Sequence, residues 1–430
     1  MKVDILILYE HINRELESAL FLESKLKQKG YSVEVAQVGW NEGKYKSCIE
    51  PKIIVTPWCY DDSDVSRICD YKGAYSQNRM KIVNLHCEQI TSNEAMELLI
   101  PSGKAKETYH LAWGAFFQEH LLNAGVKENM TCVTGSPRLD FFNKRCYAIN
   151  KQKEELAKEF GLDASKKWVL LVGNFSAAFT PEDTILSLEK RGYKNIREQS
   201  ILAKKSYAEI LKWYEAICET SDFTGEIEFI YRPHPSEKLS GQIEELEKRF
   251  HNFHIIRGYA IRDWFVNADI AFTWNSTSAI EAFFSEKPVL SLRPIKIPQD
   301  LSFEILEHVE QVTSLDKFMQ TVYTLLNDEI EVKNEAFGEH INYYYSVQDE
   351  LAVDITVEFI DQIISKDDEG MFASEYSFVK SWRKRINFYL KVLAYKLRIL
   401  QKREKYVILS NDYITKETMD EYRRKIAKLR

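Results

Sequence analysis

Apolar positions along the chain fall into two alternating patterns. Val3–Leu8 is an unbroken β-rich run, and the stretch after it is amphipathic through Leu16, Leu20, Phe21 and Leu26, with Gly30 as its stop. Further strand-like runs follow at 31–38 (YSVEVAQV), 52–59 (KIIVTPWC), 81–88 (KIVNLHCE), 109–114 (YHLAWG) and 130–137 (MTCVTGSP), several of them separated by helical patterns. Continuous apolar strands that alternate with helices predict a parallel sheet covered on both faces.

The alternation then pauses. Residues 148–165 are charged and polar, and they read as a linker. A second series begins with WVLLVGNF at 168–175. It continues through a long helical region near 200–219, then EIEFIYRP, FHIIRGY, ADIAFTW and KPVLSLRP. The predicted architecture is α/β, with two doubly wound Rossmann-like domains facing a cleft: residues 1–147 and 166–345. Two such domains place a ligand outside the carboxyl ends of the strands. A helical return segment at 346–375 and a basic helical extension at 376–430 complete the plan.

Composition narrows the class. The chain has 430 residues, 45% of them hydrophobic, which is enough for two cores. Its net charge of −7 argues against a nucleic-acid partner. Seven scattered cysteines contain no Cys-x-x-Cys, so neither a disulfide framework nor a zinc site is expected, and a reducing cytoplasm fits. The N-terminus enters a strand without a signal-peptide pattern, and no apolar run has the length of a membrane span. The charge is uneven. Residues 376–430 hold sixteen Lys/Arg against five Asp/Glu, an excess of eleven that leaves the rest of the chain at −18. Within this segment Val379, Trp382, Ile386, Tyr389, Leu390, Leu393, Leu397 and Leu400 form an apolar helical stripe. Either it meets an anionic membrane surface or it packs on protein.

Two short stretches carry candidate chemistry. In FIYRPHPSEK (229–238) a strand runs into Arg232-Pro-His234-Pro. Prolines fix φ and push the preceding residue toward extended geometry, so Arg232 and His234 sit on a stiff loop. In WNSTSAIEA (274–282) the strand ADIAFTW gives way to a helix through Asn275, Ser276, Thr277 and Ser278. Free N–H groups at a helix start bind phosphate. A crossover of about forty residues can bring both turns to one sheet edge. Taken alone, the first is equally a rigid turn and the second a helix cap.

The pair RPHP and NSTSAIEA, in this strand–helix order, resembles the GT-B class of glycosyltransferases. It is similar to bacterial surface-polysaccharide enzymes of capsule and lipopolysaccharide synthesis, to Kdo and sialic acid transferases with HP and Ser/Thr motifs, and to CDP-glycerol glycerophosphotransferases. YHLAWGAFFQEHLLNAGV with VTGSPRLDFF has the look of the end of a GT-B acceptor domain. The two turns by themselves could set Arg232 and His234 against Asn275, Ser276, Thr277 and Ser278 across one phosphate or diphosphate. The resemblance implies donor-phosphate contacts from His234, Ser276, Thr277 and Ser278, and from Asn174 and Ser176 in the loop Gly173-Asn174-Phe175-Ser176. It implies ribose or base contacts from Glu281 and from Arg257, Gly258 and Tyr259. The glycerophosphotransferases usually carry Asp-Tyr-Ser-Ser where Asn275-Ser-Thr-Ser stands here, which tilts the reading toward sugar transfer.

The implied activity moves a sugar from a CMP- or CDP-linked donor to a surface polysaccharide or lipid-linked glycan. It would take place in the cytoplasm or peripherally on the inner face of the membrane. An alditol-phosphate transferase using a CDP-alditol and a nucleotide-sugar epimerase are the alternatives. Transfer needs a base on the acceptor. Glu88, at the end of KIVNLHCEQ, is the candidate, with His86 two positions away and expected on the same side. Glu88 could equally cap a helix or pair with an arginine. Asp61, Asp62 and Asp64 form a second cluster. Asp62-Ser-Asp64 matches the Asp-x-Asp metal motif of the other large glycosyltransferase class, but these residues read as readily as a helix start. A GT-B site neutralises its leaving group with Arg, His and helix dipoles, so no metal or further cofactor is expected. Gly135-Ser136-Pro137-Arg138 reads as a turn from which Arg138 could reach the cleft.

Overall fold

The fold is taken from a computed structural model. It describes residues 1–429 apart from 39–41, 90–92, 191–193, 221–222, 224, 235–236, 328–334, 367–369 and 398–413. Pro235, Arg398 and Leu400 therefore lie outside the described residues. Two compact units emerge: Met1–Asp140 with Asn342–Arg430, and Phe141–Ile341.

The first unit holds the parallel strands β1 (Lys2–Tyr9), β2 (Val33–Gln37), β3 (Glu50–Thr56), β4 (Arg79–Asn84), β5 (Tyr109–Ala112) and β6 (Thr131–Val133), in the order β2-β1-β3-β4-β5-β6. β1 begins the chain and reads as a near-continuous apolar run because helices cover both of its faces; Ile5, Leu6 and Ile7 are fully buried. A short strand absent from the sequence reading, β13 (Phe372–Ala373), pairs antiparallel with Met80 and Arg79. Its place is open because β5 meets β4 only at Val83 and Asn84. The Arg79 guanidinium ties the segment down through the carbonyls of Gly370 and Met371.

The return segment belongs to this unit. Its helix Ala352–Ser365 is capped by Asp140, whose carboxylate accepts from the N–H groups of Ala352 and Val353 at 2.8 Å each. That satisfies two of the orphan donors of the first turn. The last helix, Lys416–Ile426, lies on helix Glu17–Gln28, where Arg423 donates twice to Glu23 at 2.9 Å.

The second unit contains β7 (Lys167–Val172), β8 (Ile227–Arg232), β9 (Phe253–Ile255), β10 (Ile270–Thr273), β11 (Val289–Leu292) and β12 (Gln311–Val312), in the order β12-β11-β10-β7-β8-β9. β7 is central. The chain winds outward to β8 and β9, then returns to the other side of β7 with β10, so the order reverses between β7 and β10. Helix Ile196–Cys218 buries Tyr207, Ile210, Tyr214 and Ile217 against this sheet. The charged segment near 150 forms helix Lys153–Phe160, which Gly161 ends at φ 71°. It is fastened by Lys153 to Asp269 at 3.2 Å, within the second unit.

The predicted two doubly wound domains and the C-terminal helix are thus present. Among the described residues, no helix is long and apolar enough to cross a membrane.

Candidate functional site

The second unit gathers three loops at the carboxyl ends of adjacent strands β8, β7 and β10. An open α/β sheet binds ligands where its strand order reverses. Here that point lies between the loop after β7, which carries Asn174 and Ser176, and the loop after β10, which carries Asn275–Ser278.

Side chains link the three loops. Ser176 Oγ lies 3.1 Å from His234 Nδ1, joining the loops after β7 and β8. Asn174 Nδ2 donates to the Asn275 carbonyl at 2.7 Å, joining those after β7 and β10. His234 is exposed, and partial burial of its ring lowers its pKa below the ordinary value. Ser276 is buried and its Oγ accepts from Ser278 N–H at 3.2 Å, at the start of helix Ser278–Phe284. Thr277 is exposed, and Glu281 is buried in the helix's first turn. Asn275 holds φ at 43°, a left-handed conformation that asparagine tolerates better than most residues. Its Oδ1 and the neighbouring Trp274 Nε1 are buried without a hydrogen-bond partner. Strain and unmet polar atoms collect where a fold serves a ligand.

Arg232 is not part of this edge. β8 is buried along its whole length, so the side chain at its end has no solvent face. The guanidinium turns inward instead. Nη1 donates to the carbonyls of Ile256 and Gly258 at 2.8 and 2.7 Å, and Nη2 to that of Tyr259 at 2.9 Å. Burial draws its pKa down to about 10. The expected phosphate ligand is a brace for the loop after β9.

Arg257 is a brace as well, with Nη2 donating to the Glu237 carbonyl at 2.6 Å and Nη1 to that of His234 at 3.4 Å. Gly258 is packed so closely that a Cβ would lie 2.5 Å from the Phe160 ring. Only Tyr259 of this trio offers an exposed ring, and its hydroxyl donates to Glu159 at 2.6 Å.

Sequence reasoning missed Glu237, the residue that organises the edge. It is buried three positions after His234. Tyr231 O–H donates to Oε1, and Oε2 accepts from Phe175 N–H at 3.0 Å and His234 N–H at 3.4 Å. One carboxylate thus fixes the loops after β7 and β8 together. Burial raises its pKa above the ordinary value, against these hydrogen bonds and the charge of Arg257. Gly173 leaves room for it: a Cβ there would sit 2.6 Å from the Tyr231 hydroxyl and 3.0 Å from Glu237 Oε2. A glutamate two positions after RPHP was the available signal.

In the first unit, Glu88 and His86 do not share a side. β4 ends at Asn84, and His86 takes φ 47°, so strand alternation no longer applies. Glu88 is exposed and pairs with Arg14 at 2.8 Å. His86 is fully buried, its Nε2 2.8 Å from His110 Nδ1. Thr108 O–H donates to the Ala105 carbonyl, so its oxygen is left to accept from His110 Nε2–H. His110 Nδ1 must then accept from His86 Nε2–H. Burial holds the His86 pKa well below the ordinary value and His110 at about 4. Both imidazoles are thus enclosed and neutral.

The aspartate cluster caps the helix Asp62–Cys69. Asp61 accepts from Ser63 and Asp64 N–H, Asp64 from Tyr60 N–H, and Asp62 from Lys104 N–H. Near Glu88, a pocket opens at the carboxyl ends of the strands, lined by Tyr9, Arg14, Glu15, Trp113, Ser136 and Arg138 among others. Arg138 thus lines a cavity of the first unit. Arg14, Glu15 and Trp113 were not anticipated, because the Arg14-Glu15 pair lies far in sequence from Trp113 and only the fold brings them together.

No protein-family model and no curated protein matches the chain. Solved structures do. A putative UDP-N-acetylglucosamine 2-epimerase from Listeria monocytogenes aligns with a TM-score of 0.55 at 13% identity, over 86% of this chain and 100% of that one. UDP-GlcNAc 2-epimerase from Neisseria meningitidis, solved bound to UDP-GlcNAc, aligns at 0.52 and 14% identity, over 84% and 100%. The wall teichoic acid polymerase TagF aligns at 0.52 and 12%, over 84% and 89%. At these identities the likeness is one of fold: two doubly wound domains of the GT-B kind.

Proposed function

We propose that the chain is a glycosyltransferase that takes a sugar from a nucleotide-activated donor, CMP- or CDP-linked, to a surface polysaccharide or lipid-linked glycan. The observation that carries this reading is the tying of the loops after β7, β8 and β10 at the strand-order reversal, through Ser176–His234 and Asn174–Asn275. In this reading His234, Ser176 and the hydroxyls and N–H groups of Ser276–Ser278 hold the donor phosphates, Glu281 meets the ribose and Tyr259 the base. Arg232, Arg257 and Glu237 keep those groups in place. Preset donors aimed at a leaving phosphate need no rearrangement as charge develops.

Glu88 is the proposed base, its carboxylate oriented by Arg14. It takes the proton from an acceptor hydroxyl whose oxygen bonds to the anomeric carbon. The bond to the nucleotide phosphate breaks, and the phosphate leaves with the electron pair. No metal enters this scheme.

A second reading, nucleotide-sugar epimerisation, is favoured by the UDP-GlcNAc bound to the N. meningitidis enzyme of like fold. Transfer of an alditol phosphate would use the same phosphate groups with another donor.

A thermal-shift panel of CMP-, CDP-, UDP- and GDP-linked compounds tests the donor site. One class should stabilise the wild type and fail to stabilise His234→Ala; a flat panel removes the reading. With that donor and no acceptor, an epimerase converts the sugar nucleotide to its epimer, whereas a transferase leaves it unchanged.

A further inference from the structure

The helix Phe378–Lys396 is held on the first unit by its polar side. Lys380 Nζ donates to Asp70 at 2.6 Å, Lys384 donates to the same carboxylate, and Ser381 is buried between them. The Lys384 carbonyl comes so near Gly43 that a Cβ there would lie 2.8 Å from it. The apolar side is turned outward. Phe378, Val379, Trp382, Tyr389, Leu390 and Leu393 are between 50 and 76% exposed. At about 100° per residue they occupy a sector about 120° wide. Arg383 borders it on one edge, Arg385 and Lys396 on the other.

This inverts the usual rule, in which a surface helix buries its apolar stripe and wets its charges. A contiguous apolar patch of this kind marks a contact surface. Its charge selects the occupant. The helix carries six Lys/Arg and no Asp/Glu. A second copy would set like charge against like charge along both edges. An anionic bilayer supplies an apolar interior for the sector and phosphates for its borders, and Trp and Tyr favour that interface.

We propose that Phe378–Lys396 lies in the surface of an anionic lipid membrane, with Trp382, Leu390 and Leu393 inserted and Arg383, Arg385 and Lys396 at the level of the lipid phosphates. The inference is independent of the donor site. Cosedimentation of the full chain tests it, with phosphatidylcholine vesicles and with vesicles that also contain phosphatidylglycerol. The wild type sediments with the anionic vesicles, and added salt releases it. The triple variant Trp382→Ser, Leu390→Ser, Leu393→Ser keeps its unfolding temperature, because these side chains already face water, and its partition falls by about tenfold or more. The triple variant Arg383→Gln, Arg385→Gln, Lys396→Gln loses the preference for phosphatidylglycerol. The proposal is overturned if the wild type stays in the supernatant with anionic vesicles or if the serine variant sediments equally. A wild-type dimer that the serine variant converts to monomer, with vesicle binding unchanged, assigns the face to a second copy instead.

Discussion

Ser176 Oγ and His234 Nδ1 meet at 3.1 Å across two strands of the second unit, one residue from each of two loops that are 58 positions apart in sequence. The pairing orients an exposed imidazole. For His234→Ala, donor affinity should fall about tenfold or more, the scale of a hydrogen bond to a charged group. Ser176→Ala should cost less, since the ring remains. Isothermal titration with the stabilising nucleotide measures both; equal affinity for His234→Ala would falsify the phosphate role.

Arg232→Lys is expected to act on stability before it acts on binding. A lysine cannot serve the three carbonyls of Ile256, Gly258 and Tyr259 that the guanidinium now satisfies. Leaving buried acceptors unmet should cost about 2–4 kcal/mol. Thermal unfolding of the variant reports it. An unchanged midpoint with weakened nucleotide binding would return Arg232 to the phosphate.

Glu237→Gln separates positioning from contact. The amide must point an N–H at one of the donors that now approach the carboxylate, Tyr231 O–H or the N–H groups of Phe175 and His234. We expect a loss of about 1–3 kcal/mol in stability. Nucleotide affinity should drop as well, with His234 and Ser176 both intact. Full affinity in a destabilised protein would confine Glu237 to a structural part.

Two aspartates predict opposite pH dependences. Burial pushes Asp140 up to about 7, although the N–H groups of Val353 and Ala352 pull it down. The folded chain then holds that proton more tightly than the unfolded one, whose aspartates titrate near ~3.9. The contribution of Asp140 to stability therefore falls as pH rises from about 4 to about 7, then levels off. Asp140→Asn should flatten that part of the stability-against-pH curve; an unaltered slope excludes Asp140 as its source.

Asp70 runs the other way. Burial would raise its carboxyl, but hydrogen bonds from Lys380 and Lys384 and the charge of Lys46 outweigh that and hold it low. Its contribution is present above the unfolded value of ~3.9 and lost as pH falls through the lower folded value. Asp70→Asn at neutral pH should mimic acid and loosen helix Phe378–Lys396. Faster amide hydrogen exchange across that helix is the readout, and unchanged protection would show that other contacts hold it.

The strands and their grouping into two domains were legible because buried parallel strands leave long apolar runs, and each long run of the second series became a strand. RPHP and NSTS were correctly placed at strand ends, since proline and helix-start residues are local signals. Direction was not legible. Arg232 points inward because β8 is buried on both faces, and His86 turns into the core because its φ of 47° breaks strand alternation. Nor were the partners legible: Glu237 with Phe175, Arg14 with Glu88 and Asp140 with Val353 meet only through the fold. β13 is two residues long and has no periodicity to read.

The first unit is discontinuous along the chain, which bears on how it is made. Asp140 waits for the helix that begins at Ala352, and the open flank of β4 waits for Phe372. Residues 141–341 must be synthesised before either arrives. Although domains tend to fold in the order in which they leave the ribosome, here the part that emerges first is finished last. A message truncated near residue 345 would yield a whole second unit joined to an incomplete first one, with a bare sheet flank and a buried carboxylate lacking its helix.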